Sequence, residues 1–282
     1  MAGKTIQIFL PDGNPKGVKK ASITTDKIEV LQIPRDILPD NSNLLAFNGV
    51  YILVDVLQAE KPEIYIGKGD VKSRTYSHDI KKEFWNMVFA IRLKDETDFN
   101  DTHCNYLEYY FIKKAHDVNR AIMNENKQLP RYHKLTEEIL SELEDYIQTI
   151  EILLSTLGLK CFQPLESTEK TAKDIFICSD NYGNQGKGEY SEEGFLLYEG
   201  AICKAELHKG TDKLSQRDDL INAGLLKKQG DHYILQENKL FSSVSSAAAI
   251  VLGRRANGWL EWKNNDGKTL NELERKASQK HF

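Results

Sequence analysis

The chain has 282 residues, of which 40% are hydrophobic and 28% charged, and its formal net charge is −4. This balance excludes a chain disordered throughout and provides apolar material for two ordinary domains. The net acidity argues against a non-specific nucleic-acid binder, although Lys68, Lys72, Arg74, Lys81 and Lys82 lie close enough in sequence for a local basic face or a scatter of solvated lysines.

From the start of the chain, Ile6 to Leu10 is interrupted by Gln7 and followed by Pro11, far short of the ~20 apolar residues of a membrane span, with no basic leader before it. The expectation is a cytoplasmic protein with no membrane partner. The apolar residues Ile6, Phe9, Val18, Ile23, Ile28 and Leu31, punctuated by Pro11-Asp-Gly13, Pro15 and Gly17, predict short strands and turns in an N-terminal β-rich arm over residues 1–45. Gly49 to Leu57 is rich in β-branched residues and predicts a strand with Val50, Ile52, Val54 and Val56 on one side and Tyr51 on the other. A polar connection, Gln58 to Glu63, leads to a second short strand, Ile64 to Gly67, and then a turn at Gly67-Lys-Gly-Asp70. Asp70 caps a helix running to about Lys82, with Arg74 and His78 one turn apart on one face.

Trp85 to Leu93 predicts a third strand, followed by a polar loop, Asp95 to His103, and a helix from about Asn105. Along that helix Leu107, Phe111, Lys114 and Val118 form one stripe, with Glu108, Ile112, Ala115 and Asn119 beside it. The clearest helical period runs from Thr136 to Leu157, a packing or connecting element within 135–160. Apart from a strand-like Ile175 to Cys178, the stretch Glu169 to Gly188 is polar or turn-rich and marks a loop or boundary. Strands at Gly194 to Tyr198, Ala201 to Leu207 and His232 to Leu235, with helices at Arg217 to Ala223 and Ser245 to Leu252, compose a C-terminal α+β domain within 161–282. Trp259 and Trp262 read as core packing ahead of base stacking. The four cysteines, Cys104, Cys161, Cys178 and Cys203, form no CxxC pair and are expected as buried, reduced thiols.

Taken singly, a strand tyrosine fills space and a glutamate beside a helix core finds a lysine. Order and type change that reading. Hydrolysis of a phosphodiester needs a positioned water, a proton acceptor, positive charge on the phosphate and a divalent ion. Tyr51 or Tyr65 can orient or deprotonate water, Arg74 can fork onto a phosphate, and Glu108 can hold Mg²⁺ or Mn²⁺.

Gly49-Val50-Tyr51 followed by Tyr65-Ile66-Gly67 resembles the paired tripeptides of the GIY-YIG endonuclease family, with Arg74, His78 and Glu108 in the family's order and GVY in place of GIY. The resemblance implies an α/β (α+β) domain over residues 46–134, built on a small three-stranded, largely antiparallel sheet flanked by helices. It further implies Tyr51 as base or water-positioning residue, Tyr65 as its helper, Arg74 as phosphate clamp, His78 in support, Lys68 in an electrostatic role and Glu108 as ligand of a single divalent metal. Lys68, Lys72 and Arg74 would contact nucleic acid. A bracing asparagine is Asn119 or Asn124, with Asn124 preferred from its surroundings. The tail, with Ser245-Ser-Ala-Ala, Asn257-Gly-Trp259 and Trp262-Lys263, resembles a domain of unknown function, DUF4357.

The function expected from the resemblance is metal-dependent cleavage of DNA. RNA or branched DNA cut by the same chemistry, and a non-cleaving recognition module of a restriction or defence complex, stand beside it. A homodimer or a partner protein held by the C-terminal domain is compatible with each.

Overall fold

The computed structural model describes residues 3–57, 61–94, 99–126, 128–132, 134–164, 175–191, 193–208 and 215–275. The chain divides into two compact units, Met1–Pro164 and Leu165–Phe282. Each carries an antiparallel sheet with helices, an α+β organisation. Among the described residues no helix is long and apolar enough to cross a membrane.

In the first unit β1 (Ile6–Phe9), β2 (Lys19–Ile23) and β3 (Ile28–Pro34) precede a short helix α1 (Leu38–Asn41). They are followed by β4 (Asn48–Val54), β5 (Ile64–Asp70), helix α2 (Val71–Lys81), β6 (Met87–Leu93), helix α3 (Asp101–Val118) and helix α4 (Glu137–Thr156). The three strands expected from the sequence lie side by side as β6-β4-β5. The N-terminal strands are not a separate layer, because β3 pairs with β6 along its whole length and makes one six-stranded sheet, β1-β2-β3-β6-β4-β5.

Alternation along β4 explains the two faces of this sheet. Val50, Ile52 and Val54 join Ile66 and Ile91 in a core closed by Leu107 and Phe111 of α3 and by Leu143, Ile150 and Leu154 of α4. Tyr51 and Leu53 turn to the opposite face, where Leu31, Ile33, Val71, Trp85 and Val88 form a second core. Full burial of a side chain such as Phe111 stabilises the fold by about 1.5–3 kcal/mol.

Several predicted boundaries move. β4 ends at Val54, so Val56 lies in a turn, 45% exposed, and not on the core face expected of it. β5 continues through Gly67 to Asp70, where a turn was expected, and α3 starts at Asp101, one turn before the expected Asn105, because the Asn100 side chain accepts the His103 amide at 2.9 Å. The polar first turn of α3 hid this cap from a reading based on apolar period. Asp70 caps α2 as expected, accepting the Ser73 amide at 2.7 Å. Residues 58–60 of the predicted connection and 95–98 of the predicted loop lie outside the described residues.

The second unit begins with β7 (Ile175–Ser179), β8 (Gln185–Ser191), β9 (Gly194–Leu197) and β10 (Ile202–Lys204), then helix α5 (Ser215–Asn222). β11 (Leu226–Gln229), β12 (His232–Leu235), β13 (Lys239–Phe241), helix α6 (Val244–Leu252) and helix α7 (Gly258–Glu261) complete it. Its sheet runs β11-β12-β10-β8-β9-β13, with β7 also paired to β8. The glycine-rich part of β8 was expected to be loop. Its glycines serve close packing instead: a Cβ at Gly186 would lie 2.7 Å from Val251, and one at Gly188 would lie 2.2 Å from the Leu196 carbonyl. Trp262 is wholly buried and stacks on Phe195, in line with the packing reading of that tryptophan. All four cysteines are buried, and none is joined in a disulfide.

Candidate active site

β5 is an edge strand, and the predicted site residues gather around its glycines. Tyr51 of β4 is in register with Gly67 of β5. A Cβ at Gly67 would stand 2.4 Å from the Tyr51 hydroxyl oxygen, so glycine lets the ring reach across the strand. Two residues on, the left-handed Gly69, at φ 111°, lies beneath Arg74, whose Nε is 3.8 Å from where a Cβ would sit.

On this face the Tyr51 hydroxyl is 2.8 Å from His78 Nε2. The Tyr65 and His78 rings meet edge-on at 4.9 Å between centroids, and Tyr51 and Tyr65 are 6.2 Å apart. Lys82 adds its ammonium over the Tyr65 ring at 4.4 Å and is paired with Glu125 at 2.7 Å. Sequence reasoning gave Lys82 only as one of a basic cluster, since its position past the end of α2 does not reveal which ring it covers.

The other side of the edge holds a second group. Lys68 pairs in register with Val50 and therefore faces α3, where its ammonium binds Glu108 Oε2 at 2.8 Å. Glu108 is largely shielded from solvent, its side chain 13% exposed. The charges of Arg74 and Glu108 both act on Tyr51 and Tyr65, Arg74 lowering and Glu108 raising their pKa values, so the two groups share one neighbourhood across the strand edge.

Burial is the main cause that pushes the Tyr51 phenol far above its ordinary value, with Tyr65 adding to it. Burial also raises Tyr65, with the Glu108 carboxylate adding to it. Burial, with Lys82 and Arg74 nearby, lowers His78 to about 4, which keeps its ring neutral near pH 7. His78 Nδ1 is buried without a partner. An unpaired lone pair costs less than an unpaired N–H, which favours the tautomer in which Nε2–H donates to the Tyr51 oxygen.

Three further candidates make contacts outside the group around Tyr51. Lys72 donates to Asn43 Oδ1 at 2.6 Å and does not join the group around Tyr51. Asn119 ends α3 in the left-handed conformation and accepts from Lys61, while Asn124 donates to Glu63 at 2.9 Å. The asparagine bound to the site strand is Asn126, whose amide accepts from the Ile66 N–H at 2.7 Å and donates to the Ile66 carbonyl at 3.0 Å. It thus supplies the missing strand partner at the sheet edge. Asn126 stands only two residues from Asn124, and spacing alone does not separate them.

Glu108 is one carboxylate, and among the described residues no three His, Cys, Asp or Glu side chains converge as a metal-binding group. The donor set fits Mg²⁺ or Mn²⁺ only in a site completed by water and phosphate oxygens, a common pattern for Mg²⁺.

Among known proteins, a family model described as a domain of unknown function (DUF4357) matches residues 176–274 of this chain. No curated protein and no solved structure matches it.

Proposed function

We propose that the first unit is a metal-dependent endonuclease of the GIY-YIG kind that hydrolyses phosphodiester bonds of DNA. The observation that carries the reading is the convergence on one strand edge of Tyr51, Tyr65, His78 and Arg74 with the Lys68–Glu108 pair. In this reading Arg74 binds the scissile phosphate, the phenol pair orients the attacking water and takes its proton, and neutral His78 fixes the Tyr51 hydroxyl. Glu108 would hold a divalent ion, which when bound supplies positive charge to the phosphate and the leaving oxygen. Lys68, once released from Glu108, would hold a phosphate oxygen.

The ion pair between Lys68 and Glu108 favours a second reading, a recognition module that binds nucleic acid without cutting it. One experiment separates the two. The protein and its Glu108→Ala variant are incubated with labelled single-stranded, duplex and branched DNA and RNA, in Mg²⁺, Mn²⁺ or chelator. The nuclease reading expects metal-dependent cutting by the wild type, lost in a variant that remains folded; binding without cutting across the whole panel would replace it with the second reading.

A further inference from the structure

Tyr65 is held at both of its main-chain neighbours by one segment. The Ile64 N–H donates to the Ile122 carbonyl at 2.9 Å, and the Asn126 side chain accepts the Ile66 N–H at 2.7 Å. Residues 122–126 therefore run along the outer edge of β5 as a strap, with Tyr65 between its two points of attachment. Glu125 lies within the strap, and its carboxylate binds the Lys82 ammonium at 2.7 Å. Lys82 in turn ends α2: its N–H donates to the His78 carbonyl at 2.8 Å, and its ammonium lies 4.4 Å from the centre of the Tyr65 ring. His78, one turn earlier, meets the same ring edge-on. The strap thus grips Tyr65 a third time, through its ring.

Exposure sets this ion pair apart from an ordinary surface pair. The Lys82 side chain is 11% exposed, against 49% for Lys113 in its pair with Asp117. An ammonium withdrawn from water needs partners for its charge, and Lys82 has two, a carboxylate and an aromatic face. Its charge also reaches His78, whose ring is faced by Tyr51, Tyr65, Arg74, Lys81, Lys82 and Glu125. Lys82 and Glu125 act on that ring in opposite senses, Lys82 opposing its protonation and Glu125 favouring it.

We propose that Lys82, anchored by Glu125, is a positioning residue of the candidate site, fixing the Tyr65 ring against His78 with its charge beside both. Its part in cleavage rests on the nuclease reading; the fixing of the rings does not. A fixed ring presents the Tyr65 hydroxyl to water in one orientation, a benefit felt in kcat and not in substrate binding.

The test uses the full chain without substrate, its histidines labelled for NMR, and three variants. Lys82→Met removes the ammonium and keeps an apolar stem, Lys82→Arg keeps the charge, and Glu125→Gln removes the charge of the anchor. The titration midpoint of His78, about 4 in the wild type, is expected to rise in Lys82→Met, to fall in Glu125→Gln and to stay in place in Lys82→Arg. An ion pair that served stability alone would lower the melting temperature and leave all three midpoints at the wild-type value; that result would overturn the proposal. Cleavage of labelled DNA in Mg²⁺ is scored separately. There kcat is expected to fall about tenfold or more in Lys82→Met with KM held, and to recover in Lys82→Arg. A wild type that cuts and a Lys82→Met variant with the same kcat would also overturn it. A wild type that does not cut removes the nuclease reading, and the His78 midpoints still decide for or against Lys82.

Discussion

Burial of Tyr51 and Tyr65 has a pH signature. Both phenols are held above their ordinary value by burial, so the ionised fraction near neutrality is small and grows about tenfold per pH unit. If a phenolate accepts the proton of the attacking water, the cleavage rate is expected to climb from pH 7 to pH 9 without a plateau. Tyr65→Phe should flatten that climb more than His78→Gln does; a rate–pH profile for each variant checks this. His78 adds a pH dependence of its own, in stability and at lower pH. Its folded value of about 4 lies below the ordinary 6.5, so the unfolded chain binds the proton first. Its contribution is therefore full above pH 6.5 and is lost as pH falls towards 4. Urea denaturation at pH 7 and pH 5 should show a fall in midpoint that is smaller in His78→Phe.

At the scale of the element, the site depends on an edge strand with glycine on one face and an asparagine along its rim. Gly67→Ala would press a methyl onto Tyr51, which is 1% exposed and has no room to retreat. The expected cost in stability is about 1–3 kcal/mol from overpacking. Loss of cleavage should exceed what that destabilisation explains, since the Tyr51–His78 contact moves with the ring; kinetics measured well below the melting transition separate the two effects. Asn126→Ala would leave the N–H and carbonyl of Ile66 without their side-chain partner, at about 1–2 kcal/mol for a part-buried pair. Hydrogen exchange at the Ile66 amide should quicken, while exchange in β3 and β6 stays unchanged. These elements were unequally legible in the sequence. The alternation in β4 placed Tyr51 opposite Val50 and Ile52, and the spacing of Arg74 and His78 put both on one face of α2, because local periodicity decides those orientations. Contacts made across long loops were hidden: nothing local shows that Lys68 meets Glu108, that Asn126 and not Asn124 reaches β5, or that glycines in β8 mark tight packing.

For the whole molecule, the distribution of cores bears on where the chemistry resides. Among the described residues, the two hydrophobic clusters of the first unit draw on residues up to Phe162, and the cluster of the second unit begins at Phe176. Every residue placed at the candidate site, from Tyr51 to Asn126, belongs to the first unit. A chain of residues 1–164 has both faces of its sheet covered and is long enough to bury a core of its own, so it is expected to fold alone and unfold in one cooperative transition. If the strand edge of β5 is the seat of hydrolysis, this fragment should keep the metal-dependent cleavage rate at saturating substrate within a few-fold of the full chain. A contribution of residues 165–282 to substrate capture would appear instead as a raised KM. Calorimetry and steady-state kinetics on the fragment and the full chain decide between these terms. A folded fragment whose kcat falls by orders of magnitude would place an essential group in the second unit, where the match to the domain of unknown function lies.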